Sequence, residues 1–378
     1  MNKRFYLDKE IPLLVMAGLN VFSFSVQPAE VALTPLLDAP DNRIYYENLL
    51  DSIKKARTSV SIMMATADYY PEYPEGLQNR LYDALVNAKN RGVRVRIILD
   101  KSNWSERVTR TNQKTAMYLR NKGLRVKFDD PKVTTHAKTV ILDGKVVFLG
   151  SSNWNFPTYT ETYQTNLKLV SPSVGRFYSR FFNSAWKGEI PDRLKLPEIS
   201  EDRSIVPLVS TGKTRAYFEA AKKLIKGAEE SIDLVLFKIT RYSRYGDSKS
   251  NLLTKELVKA RNRGVEVRIV LDVNTWSKKV NKSNRETALW LLGKGIRKVK
   301  FDNPQSTTHS KALIVDRESV LMGSSNWSYY SLSKNVEVDV VINNVPSVAR
   351  AFESYFEEVW RKAEIPSRRE LSGVQLGQ

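Results

Sequence analysis

The 378-residue chain is one unit written twice, and that duplication restricts the folds open to it more than any other feature. Residues 90–100, Asn-Arg-Gly-Val-Arg-Val-Arg-Ile-Ile-Leu-Asp, return at 262–272 as Asn-Arg-Gly-Val-Glu-Val-Arg-Ile-Val-Leu-Asp. Residues 123–129 return, with one insertion, at 295–302, and each copy closes on a tryptophan, Trp186 or Trp360, followed by Glu-Ile-Pro. A repeat of this length is a whole domain, not a solenoid module. The copies read as domains over 30–190 and 207–366, with a proline-bearing linker over 191–206 and a tail over 367–378.

Within each copy, helix and strand patterns alternate. Apolar spacing near 3.6 predicts helices over 43–57 and 215–230, each leading into a β-rich run, 60–67 and 232–239. Arg91-Gly92 ends another helix before a strand over 93–99. Residues 138–142 and 146–149 read as a hairpin about Asp143-Gly144, and the second copy, with Asp316, Arg317, Glu318 and Ser319 there, predicts a looser turn. Amphipathic helices over 173–187 and 347–362 end the copies. The expected fold class is α/β: two similar α/β/α sandwich domains with mixed sheets, related by a pseudo-twofold, the active site at their interface.

The chain contains only two histidines, and both occupy the same place in the repeat. His136, Lys138, Asp143, Gly150, Ser151, Ser152, Asn153 and Trp154 recur 173 residues later as His309, Lys311, Asp316, Gly323, Ser324, Ser325, Asn326 and Trp327. Strand residues two apart share a face, so His136 projects with Lys138, and His309 with Lys311. An imidazole beside an ammonium packs poorly in a core but suits a phosphate: lysine supplies charge and donors, while histidine attacks or shuttles protons. Asn153 and Asn326 add amide donors. Two such sets around one centre can hold a tetrahedral phosphodiester and stabilise its oxygens as phosphorus becomes five-coordinate. With no cysteine in the chain, thiolate chemistry is excluded. No residue cluster suggests a metal, and no cofactor is expected.

This doubled pattern resembles the signature of the phospholipase D superfamily of phosphodiesterases and phosphatidyltransferases, across essentially all of residues 30–366. The resemblance implies a metal-independent reaction in which one histidine forms a phosphohistidine and the other protonates the leaving alkoxide, then activates water or an alcohol. It also implies that a residue downstream of each motif backs the imidazole; 28 residues beyond the two histidines stand Gln164 and Glu337. Read within each copy, Gln164 backs His136 and Glu337 backs His309. A carboxylate there favours a protonated general acid, and an amide leaves a neutral nucleophile. On that reading His136 attacks and His309 is the acid, in keeping with the family's more frequent use of the first motif. Asp143 and Asp316 are expected to support the hairpins, and Ser151 and Ser324 to orient the residue behind each histidine.

The substrate is less legible. A net charge of +19 favours a polyanionic partner, nucleic acid or anionic lipid, over a merely solvated basic surface. Tyr70, Trp104, Trp154, Tyr242, Trp276, Trp327, Tyr329 and Tyr330 flank the presumed site as substrate-contact candidates, able to stack bases or to sit at a lipid interface. The loops at 69–74 and 241–245 differ most between copies and read as selectivity elements. The resemblance associates two motifs in one chain, functional as a monomer, with phospholipid enzymes. Hydrolysis or transfer of phospholipid headgroups is therefore the leading reading, with an extracytoplasmic nuclease as the alternative and a non-catalytic polyanion binder third. A cardiolipin synthase is expected to carry clear transmembrane helices, which this sequence does not. Residues 1–29 resemble a signal peptide or membrane anchor: Lys3, Arg4 and Lys9 precede an apolar run from Ile11 to Val26. An extracytoplasmic location and possible peripheral membrane contact are the corresponding expectations.

Overall fold

A computed structural model describes residues 31–40, 42–101, 103–190, 204–367 and 371. The proposed leader over 1–29, most of the linker and most of the tail lie outside the described residues. The first copy runs β1 (Ala32–Asp38), α1 (Ile44–Lys55), β2 (Ser59–Met64), α2 (Leu77–Asn90), β3 (Arg94–Leu99) and α3 (Glu106–Asn121). It continues through β4 (Arg125–Phe128), β5 (Lys138–Leu142), β6 (Val146–Gly150), α4 (Phe156–Thr160), β7 (Thr162–Val170) and α5 (Pro172–Lys187). The second copy repeats the order as β8 (Ile205–Ser210), α6 (Ala216–Gly227), β9 (Ser231–Leu236), α7 (Lys249–Asn262), β10 (Glu266–Leu271), α8 (Lys278–Gly293) and β11 (Lys298–Phe301). One added strand, β12 (Thr307–Thr308), precedes β13 (Lys311–Val315), β14 (Ser319–Gly323), α9 (Tyr329–Ser333), β15 (Glu337–Asn343) and α10 (Pro346–Lys362).

Both sheets are mixed and share one topology, β1-β7-β6-β5-β2-β3-β4 and its counterpart β8-β15-β14-β13-β9-β10-β11. The strands β2, β3 and β4 run parallel, and the hairpin strands antiparallel. Alternation along each strand divides the side chains between two cores. In β2, Val60, Ile62 and Met64 pack outward with α1 and α2, while Met63 faces inward. The inward face joins residues of both sheets with Phe177 and Phe181 of α5 and Phe352 and Phe356 of α10. The copies are thus two α/β/α sandwiches with a common central core, within one compact unit. The linker boundary at 206 needs moving: β8 begins at Ile205, and Pro207 lies inside it, opposite Val340. β8 is an edge strand, where a missing N–H is tolerated.

Two features shape the hairpins. The turn of the second copy is as tight as that of the first: Asp316 and Arg317 take φ of 52° and 56°, close to the 51° and 65° of Asp143 and Gly144. The looser turn expected there is therefore not found, and an arginine occupies a left-handed position that glycine fills in the first copy. The glycines closing β6 and β14 are required by close approach: a Cβ on Gly150 would collide with Asn166 and the Thr165 carbonyl, and one on Gly323 with Asp339 and the Val338 carbonyl.

Candidate active site

The two copies exchange backbone at the start of each motif. Thr135 bridges Val336, the His136 N–H donates to the Val336 carbonyl at 2.9 Å, and the Val336 N–H donates to the Thr134 carbonyl at 2.8 Å. Reciprocally, β12 pairs in parallel with the first residues of β7, and the His309 N–H donates to the Tyr163 carbonyl at 2.9 Å. Such isologous contacts are what a pseudo-twofold requires. They also fix what stands behind each histidine. The residue after Val336 is Glu337, whose carboxylate accepts from His136 Nδ1 at 2.9 Å; the residue after Tyr163 is Gln164, whose Oε1 accepts from His309 Nδ1 at 3.2 Å. The backing is crossed. Spacing within a copy assigns Gln164 to His136 and Glu337 to His309; the structure reverses both, because the support comes from the other copy's last strand.

Both supports are held firmly. The Glu337 carboxylate is fully buried and accepts from Ser324 Oγ (2.6 Å), Ser331 Oγ (2.6 Å) and Asn335 Nδ2 (3.1 Å) as well as from the imidazole. Burial works to raise its pKa, but His136, Lys138 and these donors hold it below the usual carboxylate value, so it stays charged. Gln164 accepts from Ser151 Oγ at 2.7 Å and donates to Thr162 Oγ1 at 2.7 Å. Ser151 and Ser324 thus hold the residue that backs a histidine, in each case the histidine of the other copy.

The lysines are the strongest sign that this is chemistry rather than decoration. Lys138 and Lys311 are 2 % and 1 % exposed, and each ammonium donates to the carbonyl of its own copy's histidine. Burial pulls Lys138 down to about 8, against the opposing charges of Glu337, Asp100 and Asp339. Lys311 is lowered further, by burial and then by Lys138 itself. Burial lowers both histidines too; His136 is also depressed by Lys138 and Lys311 and lifted by Glu337, while His309 feels Lys311, Lys138 and His136. Cations from both copies therefore press on one another across one small centre. Neutralising them is what a bound phosphodiester anion does. The side-chain oxygens of Asn153 and Asn326 are buried without a protein partner.

Not every motif residue belongs to this centre. Asp143 accepts the backbone N–H groups of Arg57, Thr58 and Ser59, and Asp316 those of Glu229, Glu230 and Ser231. They pin each hairpin to the start of β2 or β9, at the opposite end of the sheet. Trp154 and Trp327, taken from the sequence as substrate contacts, are 1 % and 0 % exposed and bond Tyr45 and Tyr217 in the outer cores. Tyr70 and Tyr242 are half-buried tethers whose hydroxyls accept from the Phe156 and Tyr329 N–H groups. Trp104, Trp276, Tyr329 and Tyr330 are exposed at the mouth.

Sequence reasoning missed three groups. Phe237 lies with its ring 4.7 Å from the His309 ring and stacks on Trp276 at 5.9 Å; it directly follows β9, and the equivalent residue after β2 is Ala65. The buried pairs Asp100 with Asp129, and Asp272 with Asp302, each clamp the N–H of the residue before a histidine, Thr135 or Thr308, at 2.8–3.0 Å. Burial raises Asp129, Asp272 and Asp302 above the usual carboxylate value, and the neighbouring aspartate adds to the rise of Asp129 and Asp272. Their signal was present: all four end repeated segments. The third is Asp339, whose counterpart is Asn166; each grips the second serine of its own copy's motif, Ser325 or Ser152.

A family model described as "Cardiolipin synthase, PLD-like domain" matches residues 49–186 and 221–360. The chain belongs to this phospholipase D-like family. It is 24 % identical over 329 residues to cardiolipin synthase A of Buchnera aphidicola, covering 79 % of this chain and 64 % of that protein. It is 31 % identical over 165 residues to phospholipase D Z of Dictyostelium discoideum, covering 42 % and 38 % of the two chains. The match thus spans under two-thirds of the length of the first of these relatives and under two-fifths of the second. The phosphatidylserine synthase of Haemophilus influenzae shares the fold, with a TM-score of 0.67 at 10 % identity over 90 % of this chain and 89 % of that one. Among the described residues no group of three or more His, Asp or Glu is placed to hold a metal, and no helix is long and apolar enough to cross a membrane.

Proposed function

We propose that this phospholipase D-like chain cleaves and transfers phosphatidyl groups through a covalent phosphohistidine on His136, with His309 as general acid and then base. The observation that carries the reading is the crossed backing. When His136 Nε2 attacks phosphorus, the imidazole becomes cationic, and the anionic Glu337 stands where that positive charge develops. His309 changes in the other direction, from imidazolium to imidazole, as it gives its Nε2 proton to the leaving alcohol. A neutral amide at its Nδ1 orients the ring without resisting that loss. The sequence reading reached the same nucleophile from the opposite premise.

The steps balance. The N–P bond forms as the P–O bond to the headgroup breaks, and the alkoxide takes the proton from His309. His309 then removes a proton from water or an alcohol, whose oxygen attacks phosphorus as the N–P bond breaks. Lys138, Lys311, Asn153 and Asn326 offset charge on the non-bridging oxygens throughout. A phospholipid substrate is favoured over nucleic acid by the names of the relatives, and an alcohol acceptor on a second lipid by the cardiolipin synthases among them.

The test is to trap the intermediate. His309→Ala, incubated with phosphatidylglycerol in EDTA and quenched in alkali, is expected to carry phosphatidyl on the peptide containing His136. Label trapped on His309 in an otherwise intact chain would reverse the roles. Cleavage of oligonucleotides without headgroup release would remove the lipid reading in favour of the nuclease.

A further inference from the structure

Among the described residues seven aromatic side chains are exposed, and all seven stand at the end of the molecule where β2–β4 and β9–β11 finish and the histidines lie. They form pairs related by the repeat: Tyr73 with Tyr245 in the loops after β2 and β9, Trp104 with Trp276 after β3 and β10, and Phe156 with Tyr329 opening α4 and α9. Tyr330 follows Tyr329. Single, scattered exposed aromatics need no explanation, but this set is confined to one end and rings the catalytic mouth. Tyr73 and Tyr245 are 68 % and 70 % exposed, among the most exposed large apolar side chains in the described chain.

We propose that this ring is a docking surface for an anionic phospholipid bilayer, which seats the active-site mouth directly on the membrane. The inference rests on the phosphatidyl-transfer reading and adds how the substrate is met. Tyrosine and tryptophan favour the headgroup level of a bilayer, where the ring is apolar and the hydroxyl or indole N–H is wet. Basic side chains stand beside them on the second copy's rim: Arg244, Lys278, Lys279, Lys282 and Lys334 are all exposed. Each lysine or arginine near an anionic leaflet adds attraction. A nucleic-acid track fits less well, because the first copy's rim carries exposed Glu72, Glu75, Glu106 and Glu161, which repel a continuous phosphate backbone. A bilayer tolerates this asymmetry, since aromatic insertion does not depend on charge at every loop.

The experiment uses the full chain and a Tyr73→Ser, Tyr245→Ser variant, whose changes lie at the two most exposed aromatic side chains of the described residues, outside the phosphate centre. Sedimentation with vesicles of phosphatidylglycerol and phosphatidylcholine measures docking; headgroup release from a short-chain phosphatidylglycerol below its micellar concentration measures chemistry alone. The wild-type chain is expected to bind the vesicles, the variant to bind at least tenfold more weakly, and both to cleave the monomeric lipid. Equal vesicle binding by the variant, or none by the wild type, overturns the docking surface. So does a variant that loses oligonucleotide binding while keeping vesicle binding. If vesicle binding falls as expected but monomeric lipid is untouched, the surface stands and the proposed reaction fails.

Discussion

The two copies share their motif histidines, lysines and asparagines and differ in the charge behind them. Gln164 and Asn166 in β7 face Glu337 and Asp339 in β15, so one side of the centre is neutral and the other acidic. Asp339 is fully buried; burial first, and the nearby Glu337 charge second, raise it to about 8. At neutral pH it therefore holds a proton, leaving Glu337 as the single negative group behind His136. This has a thermodynamic consequence. An unfolded aspartate releases its proton near pH 3.9, so between about pH 4 and 8 the folded chain holds a proton that the unfolded chain has lost. Stability from this group is fully present below pH 4 and declines as pH rises toward 8. Asp339→Asn, which copies Asn166, removes that dependence. Urea midpoints at pH 5 and 8 are expected to differ less in the variant, the wild-type slope from this group being at most about 1.4 kcal/mol per pH unit. An unchanged pH slope would mean that Asp339 is ionised in the fold. The sequence showed the histidines, lysines and asparagines plainly because they recur. It hid Phe237 because nothing in the first copy matches it, and the clamping aspartates because a repeated strand end reads as architecture.

At the scale of elements, the alternation of apolar residues located the long helices and the inner strands of both copies, but not the edge strands β1 and β8, the short helices α4 and α9, or β12. Hairpin geometry was harder, since turn type depends on what the strands demand as well as on the turn residues. Asp143-Gly144 suits two left-handed positions, whereas Asp316-Arg317 does not, yet the same strand register and the same carboxylate clamp impose the same turn. Arg317 is thus held at φ 56°, a conformation disfavoured for a side chain with a Cβ by roughly 1 kcal/mol. Its guanidinium pairs with Glu353 at 3.1 Å, but the arginine side chain is 58 % exposed and such a pair contributes a few tenths of a kcal/mol. Relief of strain outweighs the lost pair. Arg317→Gly is expected to raise stability by about 0.5–1 kcal/mol, read as a higher urea midpoint with unchanged slope. A lower midpoint would show that the ion pair, not the backbone, governs this turn.

For the molecule as a whole, spacing within a copy could not reveal that each copy completes the other. The rule that puts a supporting residue 28 positions past its histidine counts along the chain, while the hydrogen bonds of Val336 and Tyr163 run between copies. The central core follows the same logic: α5 and α10 and the inner faces of both sheets form one apolar cluster, so neither half keeps a closed interior without its partner. A duplicated chain built this way should unfold as one body. Trp154 and Trp327 sit in the outer cores of the first and second copies and report on each separately. Phe352 of α10, fully buried in the shared cluster, is the site at which to perturb both. Phe352→Ala is expected to remove about 3–5 kcal/mol and to move the unfolding transitions reported by either tryptophan together, each followed in a chain whose other six tryptophans are replaced by phenylalanine. If the Trp154 signal kept its wild-type midpoint while the Trp327 signal fell, the copies would be two independently stable domains. Convergence of the two histidines would then depend on docking between them, and the rate of phosphatidyl transfer would track that docking instead of the global stability of the fold.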